Sequence, residues 1–398
     1  MVAPQNNVCV GMVGAGYAAY LHGNGYEKVS GAPARLKIVT DVDARKAEAV
    51  RRRYGFEKAG TDYGEILDDP EITVVDIVTP PFLHAEMIRG AFQAGKHVIC
   101  EKPLTGYYGE PDDQRPIGNK VSREKMYEAV TRSLEELEKI VKGTDRKFFY
   151  AENYIYATPL VKAAEIVAKK KSKILFMKGE ESVKGSSSPV AGEWEKTGGG
   201  SLIRLGTHPL SGMLHLKQVE ARARGERVFI KSVLADTGAV TERLTEWEHR
   251  HISARPRDVE DFANVTVTFS DGTKATVIAT DLTLGGVKNY VEVYTNDSAL
   301  MCNLTPTDML NAYFLDEAGL EDVVISEMLP QKLGWNKVFV SDEVVRGYMG
   351  EFQDFVESIA RDKAPVSGFQ LARDTVRVIY AAYRSAEEGR RVELPSPL

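Results

Sequence analysis

A short glycine-containing segment near the start of the chain constrains the fold more than any other feature of the sequence. Residues 14–19 read Gly-Ala-Gly-Tyr-Ala-Ala, which fits G-x-G-x-x-A, and they follow an apolar run at residues 8–13. In such a turn Gly14 permits the tight bend, Gly16 lets the backbone approach a pyrophosphate, and Ala19 lets the next helix pack on the strand. The segment therefore predicts a dinucleotide-binding strand, turn and helix; an ordinary glycine turn is the alternative.

The first hundred residues alternate between two hydrophobic periodicities. Continuous apolar runs, typical of buried parallel strands, alternate with stretches of helical periodicity. The strands are predicted at residues 8–13, 35–40, 74–79 and 97–100, and the helices at residues 17–29, 44–54 and 84–94. This order is typical of βαβ units. We therefore predict an α/β fold with an N-terminal Rossmann domain, a doubly wound parallel sheet, over residues 1–125.

The second part of the chain has a different pattern. After an amphipathic helix, strands are predicted at residues 147–156, 174–183, 227–234, 263–269, 273–280 and 290–295. The triplet Ser270-Asp271-Gly272 between two of them is a hairpin signal. We predict a C-terminal α+β domain over residues 126–398 with a large, mostly antiparallel open sheet. Its closing helical stretch, interrupted around Pro365, is predicted to pack back toward the N-terminal domain.

An aspartate follows the second predicted strand, where the ribose of a bound dinucleotide would lie. Asp41 stands 25 positions after Gly16 (41 − 16), and a carboxylate there can accept hydrogen bonds from both ribose hydroxyls. The same charge repels the 2′-phosphate of NADP, which an arginine or a small polar residue would favour. The sequence therefore favours NAD over NADP, and use of both coenzymes stays open.

Two further motifs end the next two predicted strands. Residues 79–84 read Thr-Pro-Pro-Phe-Leu-His, and residues 94–103 read Ala-Gly-Lys-His-Val-Ile-Cys-Glu-Lys-Pro. With the glycine turn they resemble the glucose–fructose oxidoreductase/inositol dehydrogenase/MocA (Gfo/Idh/MocA) family, which carries T-P-x-x-x-H and E-K-P at the same places. The resemblance covers nearly the whole chain, including residues 153–156, the glycines at 198–200 and His208.

The resemblance implies a Rossmann domain and a second domain on an open antiparallel sheet, whose broad face often forms oligomer contacts. It implies NAD(P)-dependent transfer of a hydride between the nicotinamide and a carbon of a sugar, cyclitol or related polyol. The lysine of E-K-P, here Lys102, is the usual catalytic group, and Pro103 is expected to be cis. The expected partners are a small-molecule sugar, sugar acid or polyol substrate and further copies of the chain, in a dimer or tetramer.

The residue types at these positions suit that chemistry. Oxidation of a secondary alcohol requires a base for the hydroxyl proton, and lysine and histidine can both serve. We predict Lys102 as the principal acid/base group, assisted by His208; a surface lysine at a strand end is the alternative. The predicted coenzyme contacts are Gly14, Gly16, Tyr17, Ala18, Asp41, Thr79, Pro80, His84, Glu101 and Lys102, and the predicted substrate contacts are Asn153, Tyr156 and Arg204.

One position departs from the pattern of many relatives, which carry an aspartate four residues before the histidine. Here that position is Arg204, and an arginine cannot act as a base. Either Lys102 and His208 share the proton transfer, or another carboxylate replaces the missing one. Arg204 is predicted to clamp an anionic group such as a uronate carboxylate, or alternatively to pair with a buried acid or with coenzyme phosphates. Pro209 predicts a kink, or a new helix start, beside His208.

Two segments outside these motifs carry weaker hypotheses. The loop at residues 105–120 is predicted to cover or narrow the substrate pocket, with Tyr107, Tyr108 and Arg115 as contacts; an oligomer contact is the alternative. His249 and His251 alternate as on a strand. A solvated strand edge is the favoured interpretation of these histidines over a metal site, so no metal is predicted.

Composition and charge exclude several classes of protein. With 51 basic and 57 acidic residues the net charge is −6, whereas a nucleic-acid binder usually has a basic surplus. The three cysteines include no C-x-x-C pair, and no apolar run reaches the roughly 20 residues of a membrane span. The first residues lack the basic start of a signal peptide. We predict a cytoplasmic protein without a nucleic-acid or membrane partner.

Two other functions compete with a dehydrogenase. Some relatives oxidise the sugar transiently with tightly bound NAD, eliminate a leaving group and then return the hydride. A catalytically silent NAD-binding sensor is the second alternative, which the arginine at position 204 keeps open.

Overall fold

The structure, a computed structural model, describes residues 7–186, 188–304, 310–315, 333–337 and 343–396. They form two compact units, each built from several segments. The first comprises the described residues of Met1–Tyr107, Lys125–Tyr156 and Gly347–Arg377, and the second those of Tyr108–Glu124, Ala157–Arg346 and Val378–Leu398. The division predicted from the sequence, into domains of residues 1–125 and 126–398, stays a prediction.

A six-stranded parallel sheet forms the centre of the first unit. Its strands are β1 (Val8–Val13), β2 (Ala34–Thr40), β3 (Lys58–Gly60), β4 (Val74–Ile77), β5 (His97–Glu101) and β6 (Phe148–Ala151). They lie in the order β3-β2-β1-β4-β5-β6, and each neighbouring pair is parallel. The order reverses between β1 and β4, and doubly wound sheets bind ligands at the carboxyl ends of strands beside such a reversal. The predicted Rossmann sheet is confirmed.

The second unit is built on a larger, mixed sheet. Its strands, together with a separate pair, are β7 (Ile174–Ser182), β8 (Ile230–Gly238), β9 (Phe262–Phe269), β10 (Lys274–Thr280), β11 (Lys288–Thr295), β12 (Ala299–Asn303), β13 (Asn311–Phe314), β14 (Gly334–Lys337) and β15 (Val392–Glu393). The sheet order is β12-β11-β7-β10-β9-β8-β15, with β13 and β14 paired apart. Among the described strands of this sheet, only β7 and β10 pair in parallel. The prediction of a mostly antiparallel sheet is confirmed, as is the hairpin between β9 and β10.

The helices follow the predicted periodicity closely. Along the described chain they are α1 (Tyr17–Tyr26), α2 (Ala44–Tyr54), α3 (Gly64–Leu67), α4 (His84–Gln93), α5 (Ile117–Lys120), α6 (Arg123–Lys142), α7 (Thr158–Lys170), α8 (Trp194–Thr197), α9 (Thr207–Arg224), α10 (Glu246–His249), α11 (Glu343–Arg346), α12 (Tyr348–Ala360) and α13 (Phe369–Glu388). In α2 the Asp43 side chain accepts the Arg45 N–H, and Gly55 ends the helix at φ 76°. An acidic N-cap and a left-handed glycine are the expected helix boundaries. The interruption predicted around Pro365 is confirmed by the break between α12 and α13.

Three predicted elements are wrong in part. The strand at residues 147–156 ends at Ala151, and Asn153–Tyr156 form a buried 3-10 turn, because a short apolar run does not distinguish a strand from a buried turn. The loop at 105–120 ends in helix α5. The histidine pair does not lie on a strand. His249 ends α10, where Thr245 and Glu248 form a capping box, and this cap favours the helix over the alternating pattern.

The length and apolar character of the helices bear on whether the chain could cross a membrane. Among the residues that the structure describes, none of the helices combines the length and apolar character that a bilayer crossing needs. The prediction that the chain begins without a signal peptide concerns a segment whose first six residues lie outside the described residues.

Candidate active site

The turn after β1 has the geometry that a dinucleotide requires. Gly14 has φ +101°, and a Cβ atom there would lie 2.7 Å from the carbonyl oxygen of Val78, so no other residue fits without strain. Gly16 begins α1, and a Cβ atom there would meet nothing within 4 Å. Within the described residues no side chain caps α1, and the positive N-terminal end of this helix at the turn favours a phosphate group there. Tyr17 is exposed and Ala18 half-buried at the same helix start.

Asp41 lies beside this turn at the end of β2. One carboxylate oxygen accepts the Ala15 N–H at 2.7 Å, and the other accepts the Asp43 N–H at 2.8 Å. The Arg45 guanidinium, 3.3 Å from Asp43, holds the pKa of that carboxyl below its ordinary range. Because Arg45 already pairs with Asp43, the residues at the end of β2 suit the ribose hydroxyls of NAD better than a 2′-phosphate.

Replacing Asp41 with alanine is expected to weaken NAD binding about 10- to 100-fold, because charge-assisted hydrogen bonds to the ribose are lost. NADP affinity should change less, since its phosphate no longer meets a carboxylate. Titration with NADH and with NADPH, followed by the fluorescence of the reduced nicotinamide, measures both affinities. Asp43→Ala is the matched control: it removes the cap of α2, at about 1 kcal/mol, and should leave NAD affinity unchanged. Equal NAD binding by Asp41→Ala and the parent chain would contradict the assignment.

Lys102 directly follows β5 at the carboxyl edge of the parallel sheet. The preceding residue fixes its backbone, because a Glu101 carboxylate oxygen accepts the Lys102 N–H at 2.8 Å. The Lys102–Pro103 peptide bond is cis, as the resemblance predicts. The Lys102 side chain is half-buried. This edge is where ligands bind in doubly wound sheets, so the lysine lies on the side of the sheet that a coenzyme would occupy.

His84 connects the two motifs that follow β4 and β5. Its ring nitrogens lie 2.8 Å from the Pro103 carbonyl oxygen and 2.9 Å from that of Thr79. The side chain is 1% exposed, and burial lowers the pKa of His84, against the two carbonyl contacts. His84 therefore holds the Thr79–Pro80 segment against the peptide that follows Lys102. A direct contact between His84 and the coenzyme stays a prediction.

The segment after β6 has its polar groups directed inward. Asn153 and Tyr156 are 5% and 8% exposed. The Tyr156 hydroxyl donates to Asp354 at 2.7 Å and accepts the Ser367 N–H at 3.1 Å. Burial, reinforced by the Asp354 carboxylate, holds the pKa of Tyr156 well above its ordinary value. The hydroxyl is thus engaged within the first unit, and substrate contacts by both residues stay predictions.

In the second unit, Arg204 forms an ion pair with Asp281, which follows β10. Asp281 is 3% exposed; burial raises the pKa of its carboxyl, although the Arg204 guanidinium opposes that rise. The second oxygen of this carboxylate, Oδ1, has no hydrogen-bond partner within the described part of the chain. Of the alternatives for Arg204, the structure shows the pair with a buried acid.

The backbone around His208 is irregular, as Pro209 predicts. Residues Leu202–Gly206 form a π-helical turn that continues directly into α9. Pro209 has no N–H for the Leu205 carbonyl, and π turns arise where the regular hydrogen-bond ladder is interrupted. The helix begins at Thr207, so a start at Pro209 itself is wrong. His208 is 8% exposed on this element, and its part in proton transfer stays a prediction.

The three glycines before this turn permit close packing. A Cβ atom on Gly200 would lie 1.8 Å from the Glu260 carbonyl oxygen, and one on Gly199 would lie 2.2 Å from the Tyr383 hydroxyl oxygen. The Glu260 carboxylate accepts the N–H groups of Gly200 and Leu202, both at 2.8 Å. Burial raises the pKa of Glu260, against these donors. Glu260 thus anchors the start of the turn that carries Arg204.

Several polar groups of the loop between β5 and α6 are hydrogen-bonded to other groups of the protein. Tyr107 is 4% exposed, and the Arg115 guanidinium donates to the carbonyl groups of Glu110 and Asp113. Gly118, in α5, donates its N–H to Asp258 at 2.9 Å. A role of this loop at the substrate pocket stays a prediction.

Four polar residues escaped the sequence analysis. Glu260 and Asp281 contact the turn that carries Arg204, and His22 on α1 contacts Asp76 on β4 in the first unit. Each acts on a partner far along the chain, for example 54 positions from His22 to Asp76 and 77 from Arg204 to Asp281. No spacing or local motif in the sequence brings such residues together.

The first unit has a Rossmann fold, with the glycine turn, Asp41 and Lys102 at the carboxyl edge of its parallel sheet. These features define a class of proteins, the NAD-binding oxidoreductases with a Rossmann fold. The family model described as oxidoreductase family, NAD-binding Rossmann fold (GFO_IDH_MocA) matches residues 8–114. The model of the GFO/IDH/MocA C-terminal domain matches residues 173–300. The chain belongs to the Gfo/Idh/MocA oxidoreductase family, as its motifs predict.

Individual relatives match the chain over different lengths. Levoglucosan dehydrogenase of Pseudarthrobacter phenanthrenivorans (strain DSM 18606 / JCM 16027 / LMG 23796 / Sphe3) is 26% identical over 98% of this chain and 99% of its own. The NAD(+)-dependent scyllo-inositol 2-dehydrogenase of Bacillus subtilis (strain 168) is 39% identical over 25% of this chain and 29% of its own. The crystal structure of GenD2 from gentamicin A biosynthesis in complex with NAD has a TM-score of 0.76 at 22% identity, covering 98% of this chain and 97% of that one.

These findings support the coarse function. The family is one of NAD-dependent oxidoreductases, and its named relatives include levoglucosan and inositol dehydrogenases. The chain is therefore an oxidoreductase of the sugar and cyclitol dehydrogenase family with an NAD-binding Rossmann domain.

Proposed function

We propose that the chain is an NAD-dependent dehydrogenase that oxidises a secondary hydroxyl of a neutral sugar or cyclitol, or reduces the matching ketone. The observation that carries the proposal is the position of Lys102, fixed by Glu101 at the carboxyl edge of the sheet that also carries the glycine turn. The levoglucosan and inositol dehydrogenases among the relatives support this substrate class. A homo-oligomer and a cytoplasmic location stay predictions.

Each proposed residue has one physical task. NAD, when bound over Gly14, Gly16 and Asp41, supplies the acceptor for the hydride. The Lys102 amine takes the proton of the hydroxyl during oxidation and returns it during reduction, a task worth about 10²- to 10⁴-fold in rate. His208, also proposed to take part in the proton transfer, lies on α9 directly after the turn that Glu260 anchors.

The ion pair of the second unit argues for a neutral substrate. Since Asp281 neutralises Arg204, the pair offers donors and an acceptor for hydroxyl groups in place of a free cation for a uronate. Both residues line a cleft of about 950 Å³. Other arginines of the cleft are engaged: Arg250 lies over Trp247, Arg255 donates to the Ile252 and Ala254 carbonyls, and Arg257 pairs with Glu193.

Asp281→Asn tests this substrate class. It leaves the Arg204 charge uncompensated, so kcat/KM for uronates relative to neutral polyols is expected to rise about tenfold, or 1.4 kcal/mol. Asp236→Asn, at an exposed position of β8, makes the same change in net charge and should leave the ratio unchanged. A parent chain that already prefers uronates at least tenfold would refute the neutral substrate class.

A substrate screen tests the function itself. Sugars, uronates and inositols are incubated with NAD while the absorbance of the reduced nicotinamide is followed. Net NADH with a sugar or cyclitol supports the dehydrogenase. Cleavage of a glycoside without net NADH would instead establish transient oxidation, and NAD binding with no turnover of any member of the screen would favour the sensor.

A further inference from the structure

The first unit contains a buried ionic cluster at the carboxyl end of β5, next to Lys102. Its centre is His22, which is fully buried on α1. Its ring Nδ1 lies 3.0 and 3.1 Å from the two carboxylate oxygens of Asp76 on β4, and Nε2 lies 3.3 Å from Glu101 Oε1. The dehydrogenase mechanism proposed above assigns this histidine no task.

The contacts define the charge of the ring. An ionised carboxylate only accepts hydrogen bonds, so both nitrogens of His22 must donate, which requires the imidazolium form. Burial alone would lower the pKa of His22, but the attraction of Asp76 and then of Glu101 raises it to about 10. His22 is therefore a cation throughout the neutral range.

Two further polar side chains that the structure describes near the ring, Tyr26 and Glu351, carry no positive charge. The Tyr26 hydroxyl donates to Asp76 at 3.0 Å. Glu351, on α12, is buried and its carboxyl has no hydrogen-bond partner among the described residues. Burial holds the pKa of Glu351 well above its ordinary value; the charge of His22 opposes this rise, and the charges of Glu101, Glu152 and Asp76 add to it. A carboxyl group adds no cation to the cluster, and the structure places the His22 ring against Asp76 and Glu101.

Glu101 links this cation to the proposed catalytic lysine. Its Oε1 faces His22, while its Oε2 accepts the backbone N–H of Lys102 at 2.8 Å. The cluster thus joins α1, which begins at the glycine turn, to the strand that carries the lysine. The Phe352 ring, with its centroid 4.8 Å from that of the imidazole, closes the cluster on another side.

We propose that His22 is a positioning residue: by holding Glu101, it sets the backbone and electrostatic environment of Lys102 relative to the coenzyme-binding helix. This inference rests on the proposed role of Lys102 in proton transfer. An imidazolium suits the position because it donates from two opposite atoms in a small, flat ring, whereas a glutamine amide donates from one atom only.

The double variant His22→Gln/Asp76→Asn tests this role: it removes the buried cation and the carboxylate 3.0 Å from it together, so that neither is left buried without the other, which would endanger folding. We expect a folded protein that binds NAD within about threefold of the parent, with kcat lowered about 10- to 100-fold, because small displacements of a reacting group have effects of that size. The pH of half-maximal kcat should rise, because the cation that is removed contacts Glu101, which binds Lys102, whereas the anion removed with it contacts the opposite nitrogen of the ring.

A second measurement needs no substrate. The rate at which acetic anhydride labels Lys102, followed by mass spectrometry across pH, reports the state of its amine directly. The labelling profile should move to higher pH in the double variant and stay in place in His97→Gln. His97 is a matched control, because it is a buried histidine at the other end of β5 whose ring accepts the Lys147 N–H.

The outcomes separate this inference from the proposed function. A folded double variant whose kcat and labelling profile both match the parent overturns the role of His22. If Lys102→Ala keeps its turnover, the catalytic assignment fails, while the labelling profile still decides whether His22 acts on the lysine. A shift in His97→Gln equal to that in the double variant would show a general loss of packing and would also overturn the proposal.

Discussion

Replacing Lys102 with alanine is expected to lower kcat about 1,000-fold while NAD binds within about threefold of the parent affinity. The amine is proposed to take the hydroxyl proton, and acid–base groups in such positions contribute 10²- to 10⁴-fold. The backbone N–H of residue 102, which donates to the Glu101 carboxylate, is also present in the alanine variant, so the local fold should persist. Steady-state kinetics with a substrate from the screen and coenzyme titration measure the two effects separately.

Two controls accompany this variant. Lys102→Arg keeps a positive charge that does not deprotonate near neutrality, so its kcat should stay low if proton transfer is the task. Lys46→Ala removes an exposed lysine from α2 and should leave kcat unchanged. Turnover by Lys102→Ala within tenfold of the parent would remove the lysine from the mechanism.

Gly14→Ala is expected to abolish measurable NAD binding and to lower the free energy of unfolding by about 2 to 3 kcal/mol. The added methyl group would lie 2.7 Å from a backbone oxygen of Val78 at φ +101°, and such backbone strain costs about 1 to 3 kcal/mol before any overpacking is counted. Urea denaturation of the apoprotein measures the stability, and coenzyme titration measures the binding.

Gly16→Ala provides the informative comparison. Its methyl group would meet no protein atom within 4 Å, so stability should change by less than about 0.5 kcal/mol. The same methyl group would occupy space needed by the pyrophosphate, and NAD affinity should fall at least about tenfold. If Gly16→Ala bound NAD like the parent, the phosphates would lie elsewhere and the coenzyme site would need reassignment.

The sequence predicted the first unit in detail because its signals are local. β1 and α2 have the predicted boundaries: the apolar run of β1 reflects burial on both faces, and α2 lies between an N-capping aspartate and a left-handed glycine. The glycine turn, Asp41 and Lys102 could be proposed as site residues for the same reason, since each directly follows a strand whose position could be predicted.

Errors arose where tertiary packing outweighs local pattern. The apolar residues after β6 were assigned to a strand but form a 3-10 turn, where Asn153–Tyr156 are all buried. The alternation of His249 and His251 along the sequence predicts a strand, but the capping box of Thr245 and Glu248 produces a short helix. In both cases one periodicity fits two structures, and only the surrounding packing selects between them.

The sequence alone determined the family and the sheet type of both units and predicted the coenzyme turn and the lysine, because contiguous residues encode each of them. Only the tertiary structure decided that Arg204 is neutralised by Asp281, that His84 bridges Thr79 and Pro103, and that His22 joins Asp76 to Glu101. Those contacts join residues 5 to 79 positions apart, mostly on separate elements. These polar groups interact strongly because folding removes them from water together. The spacing of the residues along the sequence does not show that they are close in space.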